Sequence, residues 1–535
     1  MSEVIVIGGG IAGICAALEL LDAGRQVLLL ERDTAENFGG LAKESFGGIF
    51  LVGTPEQRRA GIRDTPELAL ADWHAFGALD PNDPNDRWPC AWAEAYVQRC
   101  HDEVGVWLRK RGIGFIPAPH WVERGLFTPG NSVPRFHIVW GTGRELALCL
   151  IDHLERHANR ARLEVRFGHR VESLLASNGT VSGCSGIVEE TRQPFELHAG
   201  SVIVAAGGFN GNIERVRQHW HRDWGSPPPV ILNGSHRYAD GLVHDAVGAV
   251  GGNLTHLDAM WNYAAGVRHP RPRKPGHGLS LVPPRSALWL NWRGERIGPM
   301  PLVTGFDTRD LVAQVCAQER QYSWQLMNRR IALKELAVSG AEYNPSIRDK
   351  KKLSFLRDLI FGNQWLYDEM TSSCEDFVVG RDLPELVDRM NALQGDDAVS
   401  LDAIRATAEA YDAQIERGQT FHNDEQLRRI AYVRHWKGDR IRTCKFQKIL
   451  DPKAGPLIAV REFIISRKSL GGIQTDLQCR VLDHAGLPIT GLYAAGEAAG
   501  FGGGGMHGLR ALEGSFLGGC ILSGRIAGQA AAATS

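Results

Sequence analysis

The chain begins with four consecutive apolar residues, Val4-Ile5-Val6-Ile7, the pattern of a strand buried on both faces. Gly8-Gly9-Gly10-Ile11-Ala12-Gly13 follows, then Ile14 to Ala23 with helical composition, ended by Gly24. Gln26 to Leu30 is a second apolar run, closed by Glu31. Residues 64–160 read as mostly helical, with proline interruptions around 81–89 and 117–134. Arg170 to Val188 predicts a hairpin turning at Asn178-Gly179, and Val202 to Ala206 another buried strand running into Gly207-Gly208. From 256 to 445 the character changes: Trp, Arg and charged helical stretches dominate, and 377–417 is leucine-spaced like surface helices. The glycines return after 446, and Ser515 to Ala533 reads as a small-residue helix. The simplest organisation is one domain split in sequence, residues 1–255 and 446–535, with a second domain, 256–445, inserted in its middle.

Composition narrows the class. The 535 residues are 43% hydrophobic and 23% charged, ordinary values that argue against disorder, a fibre or a membrane protein. Sixty basic against 61 acidic side chains leave a net charge of −1, which suggests neither nucleic acid nor an anionic membrane as partner. The ten cysteines are scattered, with no CxxC pair and no metal-like spacing, and read as reduced packing residues. No metal site is expected. With no secretory signal ahead of Val4, the cytoplasm is the expected location.

Gly8, Gly10 and Gly13 form a GxGxxG between a strand and a helix, and Glu31 ends the next strand about twenty residues on, the dinucleotide fingerprint. Gly8 allows the tight turn, Gly10 lets the backbone approach a pyrophosphate, and Gly13 lets helix and strand pack closely. The helix N-terminus, with Ile11 and Ala12, then faces the phosphates, and Glu31 accepts from ribose hydroxyls. The fold class is therefore α/β, with a Rossmann-like domain. A second glycine-rich segment, Gly39 to Gly48, and the strand Gly491-Leu492-Tyr493-Ala494-Ala495-Gly496-Glu497 resemble elements of FAD enzymes. Together with Val202 to Gly208 they stand in the right order, which selects FAD over NAD.

The sequence then resembles, more specifically, the flavoprotein family of fumarate reductase, succinate dehydrogenase and 3-ketosteroid dehydrogenase, and in particular a subgroup known only as FAD-binding dehydrogenases. Asp240-Gly241 with Gly248-Ala249, Asn291-Trp292-Arg293-Gly294-Glu295-Arg296, Leu470 to Asp476, and GGGGMHGLRALEGSFLGG at 502–519 carry the resemblance. It implies an α+β capping domain inserted in the FAD domain. It also implies a cofactor site that adds Arg32, Gly40, Leu41, Ala42, Ser45, Gly47, Gly48, Val171, Ala206, Gly207, Asp240, Gly496, Glu497, Gly508, Ser515, Phe516 and Leu517 to the fingerprint residues. Residues 39–48 contain no histidine, so the FAD is expected to be non-covalent.

The implied reaction is dehydrogenation of a CH–CH bond beside a carbonyl, or its reverse: a base takes the α-proton and hydride passes from the β-carbon to flavin N5. Arg467, Lys468 and Ser469 stand where dicarboxylate enzymes carry histidine and threonine, and Arg510 is one place early for their last-loop arginine. A small molecule of the cyclic ketone or enone class, as in ketosteroid dehydrogenases, is the expected substrate, with an electron acceptor the sequence does not identify. Fumarate reductase-like reduction of an unsaturated carboxylate and a non-catalytic flavin-fold binding protein are the alternatives. Four residues are candidates for catalysis. Tyr322 is placed to polarise a ketone. Arg309, in Thr308-Arg309-Asp310, resembles the family's proton-donor arginine or forms a helix N-terminal ion pair with Asp307 or Asp310. Lys468 is suited to an anionic group, and His507, beside the last loop, acts on substrate or fixes that loop.

Overall fold

A computed structural model describes residues 3–298 and 305–534. Two large sheets organise them. In the first, β1 (Val4–Ile7) is central, joined through α1 (Ile11–Asp22) to β2 (Val27–Leu30). Leading from α2 (Thr142–Glu155), β3 (Leu163–Arg166) extends the sheet beyond β2. The hairpin is present as β4 (His169–Ser177) and β5 (Thr180–Val188), with Asn178 and Gly179 both at positive φ, as a two-residue turn of this kind requires. On the other side of β1 lie β6 (Ser201–Val204) and, past it, the C-terminal strand Pro488–Ala494, so that the first and last parts of the chain share one parallel core.

The second sheet is built on a single long strand. It contains β7 (Met260–Arg268), β8 (Gly278–Val282) and, after α3 (Thr308–Cys316), β9 (Ser323–Asn328). Its spine is β10 (Leu457–Ser469), which pairs with β7 and β9 and also with Ile231–Asn233 and Phe377–Gly380. The border expected at 256 and 445 therefore cuts this sheet: Ile231–Asn233 and β10 lie outside 256–445 yet pair within it. The reason is that β10 is at once the spine of the second sheet and the strand that delivers Ser469-Leu470-Gly471 back to the first unit.

The two ends of the first unit are held by backbone contact. The C-terminal helix α4 (Ser515–Thr534) lies along α1; a Cβ on Gly524 or Gly528 would stand 2.3 and 2.5 Å from the carbonyl oxygens of Ala12 and Ala16. Helix α1 is buried almost all round, which its Ile/Ala/Leu composition permits. Within the turn, a Cβ on Gly13 would sit 1.9 Å from the Gly8 carbonyl oxygen.

One buried ionic cluster ties the helical segment to the inter-sheet region. Arg135, 1% exposed, makes two-pronged bonds to Asp64 and a further bond to Asp72, which also accepts from the Ser132 N–H and hydroxyl. This anchors the strand Phe136–Ile138 against the helix Pro66–Gly77. Replacing Arg135 by Leu leaves two buried carboxylates without their cation, and we expect a loss of about 3–5 kcal/mol in urea unfolding of the apoprotein. A loss below 1 kcal/mol would show that Gln57, whose amide donates to Asp64 at 2.8 Å, and Ser132 satisfy the carboxylates by themselves.

Candidate active site

An extended cleft of about 360 Å³ runs from the Gly8–Gly13 turn to the second sheet. At one end stands the N-terminus of α1. No side chain caps it, and a Cβ built on Gly10 meets nothing within 4 Å, so the helix presents free N–H groups to open space. That is a cradle of the shape a pyrophosphate fills. Glu31 lines the same end, its oxygens accepting from the Gly9 and Asp33 N–H groups at 2.7 Å each. Beside it Arg32 is held by Glu189 and Asp240 and stacks on Tyr238. Ile11, Ala12, Gly40, Leu41, Ala42, Ser45, Gly47, Gly48, Val171, Ala206, Gly207, Phe516 and Leu517 also line the cleft.

Glu497 lies further along the wall and accepts from the Ser469 N–H at 3.1 Å. Burial pushes its carboxyl up to about 7, the nearby Lys468 opposing the shift. A Cβ on Gly208 would strike this carboxylate at 2.3 Å, so glycine is required there for the acid to reach the cleft. The donors, the uncapped helix and the two acids fit a flavin dinucleotide. Three of the expected cofactor residues do not line the cleft and are set in packing contacts, as the sequence analysis gave for Gly13. Gly13 closes the turn, Gly496 donates to Ser523 and abuts Ala12, and Gly508 packs on the Gly77 carbonyl. Ser515, also expected there, is buried under His507.

At the other end the cleft meets chemistry. The Tyr263 hydroxyl donates to Glu513 Oε2 at 2.8 Å, and the Trp261 indole N–H donates to the same oxygen at 3.2 Å. Glu513 Oε1 has no partner among the described residues. Burial, then Glu513, raises the Tyr263 phenol well above its ordinary range, so it stays protonated. Lys468, opposite Trp261 in the β7–β10 pairing, holds its ammonium 4.2 Å over the Phe516 ring. Burial and then Arg467 lower its pKa to about 8. Glu123 completes the group: it lines the cleft with φ of 49°, a strained value for a side chain of this size, and accepts from the Thr308 hydroxyl. Burial, Asp307 and Glu513 push its carboxyl upward.

Of the four residues expected to act on substrate, only Lys468 lines the cleft. The Tyr322 hydroxyl donates to Gln394, with its ring against Trp324 and Phe463. Arg309 is held by His221 and Asp223 at 3.0 and 3.1 Å and stacks on Trp224, so its partners are neither Asp307 nor Asp310. His507 is fully buried, stacked on Trp73 and bonded to Ser515, and burial lowers it to about 3, which keeps it neutral. In each case a neighbour distant in sequence took up the side chain. Glu513 and Glu123 were missed. For Glu513 there was a signal: it is the only carboxylate in the glycine-rich run 501–519. Among the described residues no group of side chains has metal-binding geometry, and no helix is long and apolar enough to cross a membrane.

Fold and cleft define an FAD-dependent oxidoreductase with an FAD-binding domain and a cap. The chain matches the FAD binding domain family over residues 3–517 and belongs to it. It is 43% identical to a KsdD-like steroid dehydrogenase of Mycobacterium tuberculosis (strain CDC 1551 / Oshkosh), over 99% of this chain and 96% of that one. Among solved structures it is similar to a 3-ketosteroid Δ1-dehydrogenase from Sterolibacterium denitrificans in complex with 1,4-androstadiene-3,17-dione, with a TM-score of 0.68, 17% identity and full coverage of both chains. A flavocytochrome c3 fumarate reductase in its open conformation has a TM-score of 0.69 at 21% identity, covering 100% of this chain and 78% of that one. At these identities the two structures speak for the fold.

The two glycines of the turn are expected to separate on mutation. Gly10→Ala leaves the thermal midpoint of the apoprotein unchanged, because its Cβ enters open space, but weakens FAD binding at least about tenfold by filling the cradle. Gly13→Ala lowers the apoprotein midpoint itself, because its Cβ overlaps the Gly8 carbonyl. Fluorescence titration of FAD and thermal unfolding check both; unaltered FAD affinity in Gly10→Ala would remove the pyrophosphate from this turn.

Proposed function

We propose that the protein dehydrogenates a polycyclic ketone of the ketosteroid class at a CH–CH bond beside the carbonyl, or catalyses the reverse, in the cleft between the two sheets. The observation that carries this reading is the meeting of an apolar wall, formed by Val122, Phe136, Ile138, Leu281 and Val338, with the Tyr263–Glu513 pair and Lys468 in one cleft. Apolar lining suits fused rings, and the polar group among it suits a single ring ketone. The steroid named for the M. tuberculosis relative supports the same class.

Each residue has a defined task. Glu513 Oε1 takes the α-proton as general base, while Tyr263 and Trp261 fix the carboxylate through Oε2. Lys468 donates to the ketone oxygen and stabilises the charge that collects there as the proton leaves. FAD, held by residues such as Glu31 and Glu497 and by the backbone at Gly10, would supply the hydride acceptor for the neighbouring carbon; loss of the proton to Glu513 and of one hydride would leave the C=C bond. The cofactor is held without a covalent link, in keeping with the absence of histidine in 39–48; acid precipitation should leave the yellow flavin in the supernatant. Elements of the second sheet act as the cap.

A C4 dicarboxylate fits less well. It calls for paired cations at both ends, and the two arginines that the family resemblance puts forward are engaged elsewhere: Arg309 with Asp223, Arg510 with Asp307 at 2.9 Å.

Glu513→Gln is expected to lower turnover of a 3-oxo-4-ene or saturated 3-ketosteroid by about 10²-fold or more while the protein stays yellow. Full activity would remove Glu513 from the site. Lys468 is charged below its pKa of about 8, so kcat/KM should fall as pH rises through about 8. Lys468→Arg should move that limb above pH 10. A pH profile unchanged in the variant would show that Lys468 does not face the ketone.

A further inference from the structure

The same cleft holds a second polar cluster with different members. Lys468 has Arg467, Glu513 and Glu497 as its charged neighbours; Arg442 has Arg285, Asp439 and Glu335. All four of the latter group line the cleft, as does His120.

The acids of this cluster are already saturated. Asp439 accepts from Arg285 Nη2 at 2.7 Å through Oδ1 and from Arg124 through Oδ2. Glu335 Oε1 accepts from the Ser286 hydroxyl and the Cys444 N–H, and Oε2 from the Ser286 N–H. Arg285 uses its second prong on Thr443 Oγ1. The Arg442 backbone N–H donates to the Asp439 carbonyl, but its guanidinium has no hydrogen bond or ion pair among the described residues, and neither have the ring nitrogens of His120. Three guanidinium groups thus face two carboxylates, and the cation left over opens on the cleft. A half-buried guanidinium loses hydration without recovering it from a partner; burial and Arg285 accordingly lower its pKa.

We propose that Arg442, with His120 beside it, binds a carboxylate carried by the substrate away from its reacting ring, so that the substrate is a ketosteroid acid and not a neutral ketosteroid. The inference rests on the ketosteroid reading above and sharpens it. A guanidinium can take a carboxylate with two parallel N–H···O bonds. His120, which burial keeps neutral with a pKa of about 4, can add a third donor without adding charge. The apolar residues Val122, Phe136, Ile138, Leu281 and Val338 line the same cleft as both clusters and would cover the ring system, and the chain would discriminate by the group the substrate presents to Arg442.

The holoenzyme is assayed with a 3-oxo-4-ene steroid bearing a side-chain carboxylic acid and with the methyl ester of the same compound. The expected result is a kcat/KM for the acid about tenfold or more above that for the ester, the loss of one charge-assisted contact. In Arg442→Gln that ratio should fall to about 1, and Arg442→Lys should restore part of it. A ratio near 1 in the unmodified enzyme, or one that Arg442→Gln leaves unchanged, overturns the inference. If neither compound is dehydrogenated, the ketosteroid reading fails by itself. The subsite is then judged by binding, followed through the absorbance of bound FAD: tighter binding of the acid, lost in Arg442→Gln, sustains it, and equal binding of acid and ester overturns it. If Arg442→Gln does not fold, the acid-to-ester ratio of the unmodified protein and of Arg442→Lys decides.

Discussion

Everything in the cleft depends on how closely α1 can be approached. Gly524 and Gly528 let α4 lie on the carbonyls of Ala12 and Ala16, and Gly13 lets α1 lie on the Gly8 turn. A side chain at any of these positions would separate backbone from backbone. The contact does more than pack a core. It brings the C-terminal segment, with Phe516 and Leu517, to the N-terminal turn, so that one cleft is lined by residues some five hundred positions apart. Small-to-large changes in such contacts force the backbone to shift, since packing at this density leaves no room to yield.

The second sheet solves a different problem. Strand β10 runs through its centre and then continues into Ser469, whose N–H binds Glu497. The substrate end of the cleft is thereby fixed to the cofactor end by one continuous strand. Lys468 and Arg467 leave that strand at the point where the two units meet. Polar groups at the junction fall into three kinds. Some are paired for structure, such as Arg309 with Asp223 and Arg510 with Asp307. Some are paired with a free valence toward the cleft, such as Glu513 beneath Tyr263. A few, Arg442 and His120 among them, face the cleft with no partner among the described residues. In the proposed reaction the second and third kinds carry the chemistry, because a saturated ion pair has little left to offer a ligand.

The local elements were legible in the residues themselves. Val4–Ile7, the glycine turn, the Asn178-Gly179 hairpin and the C-terminal helix are set by short-range rules: apolar runs, positive φ at glycine, small residues in a buried helix. The end of the cleft built by the glycine turn followed from them, because its free backbone N–H groups take positions that the glycine pattern dictates. The border of the inserted unit was not legible at the same level. Ile231–Asn233 and β10 look like any buried strands, and nothing in an apolar run states which sheet will receive it.

The substrate end lay beyond what the chain could tell in one dimension. Tyr322, Arg309 and His507 had the right chemistry, but each was taken up by a neighbour: Tyr322 by Gln394 and Arg309 by Asp223, both distant in sequence, and His507 by Ser515 eight residues on and by the Trp73 ring. Tyr263, Glu513 and Lys468 come from three separate segments, and Glu123 and Arg442 from two more. The sequence by itself determined the family, the cofactor and the glycine turn after β1, since those depend on backbone conformation within a few residues. Only the tertiary structure decided which side chains are left free to meet a substrate, because that depends on which of them folding has already paired.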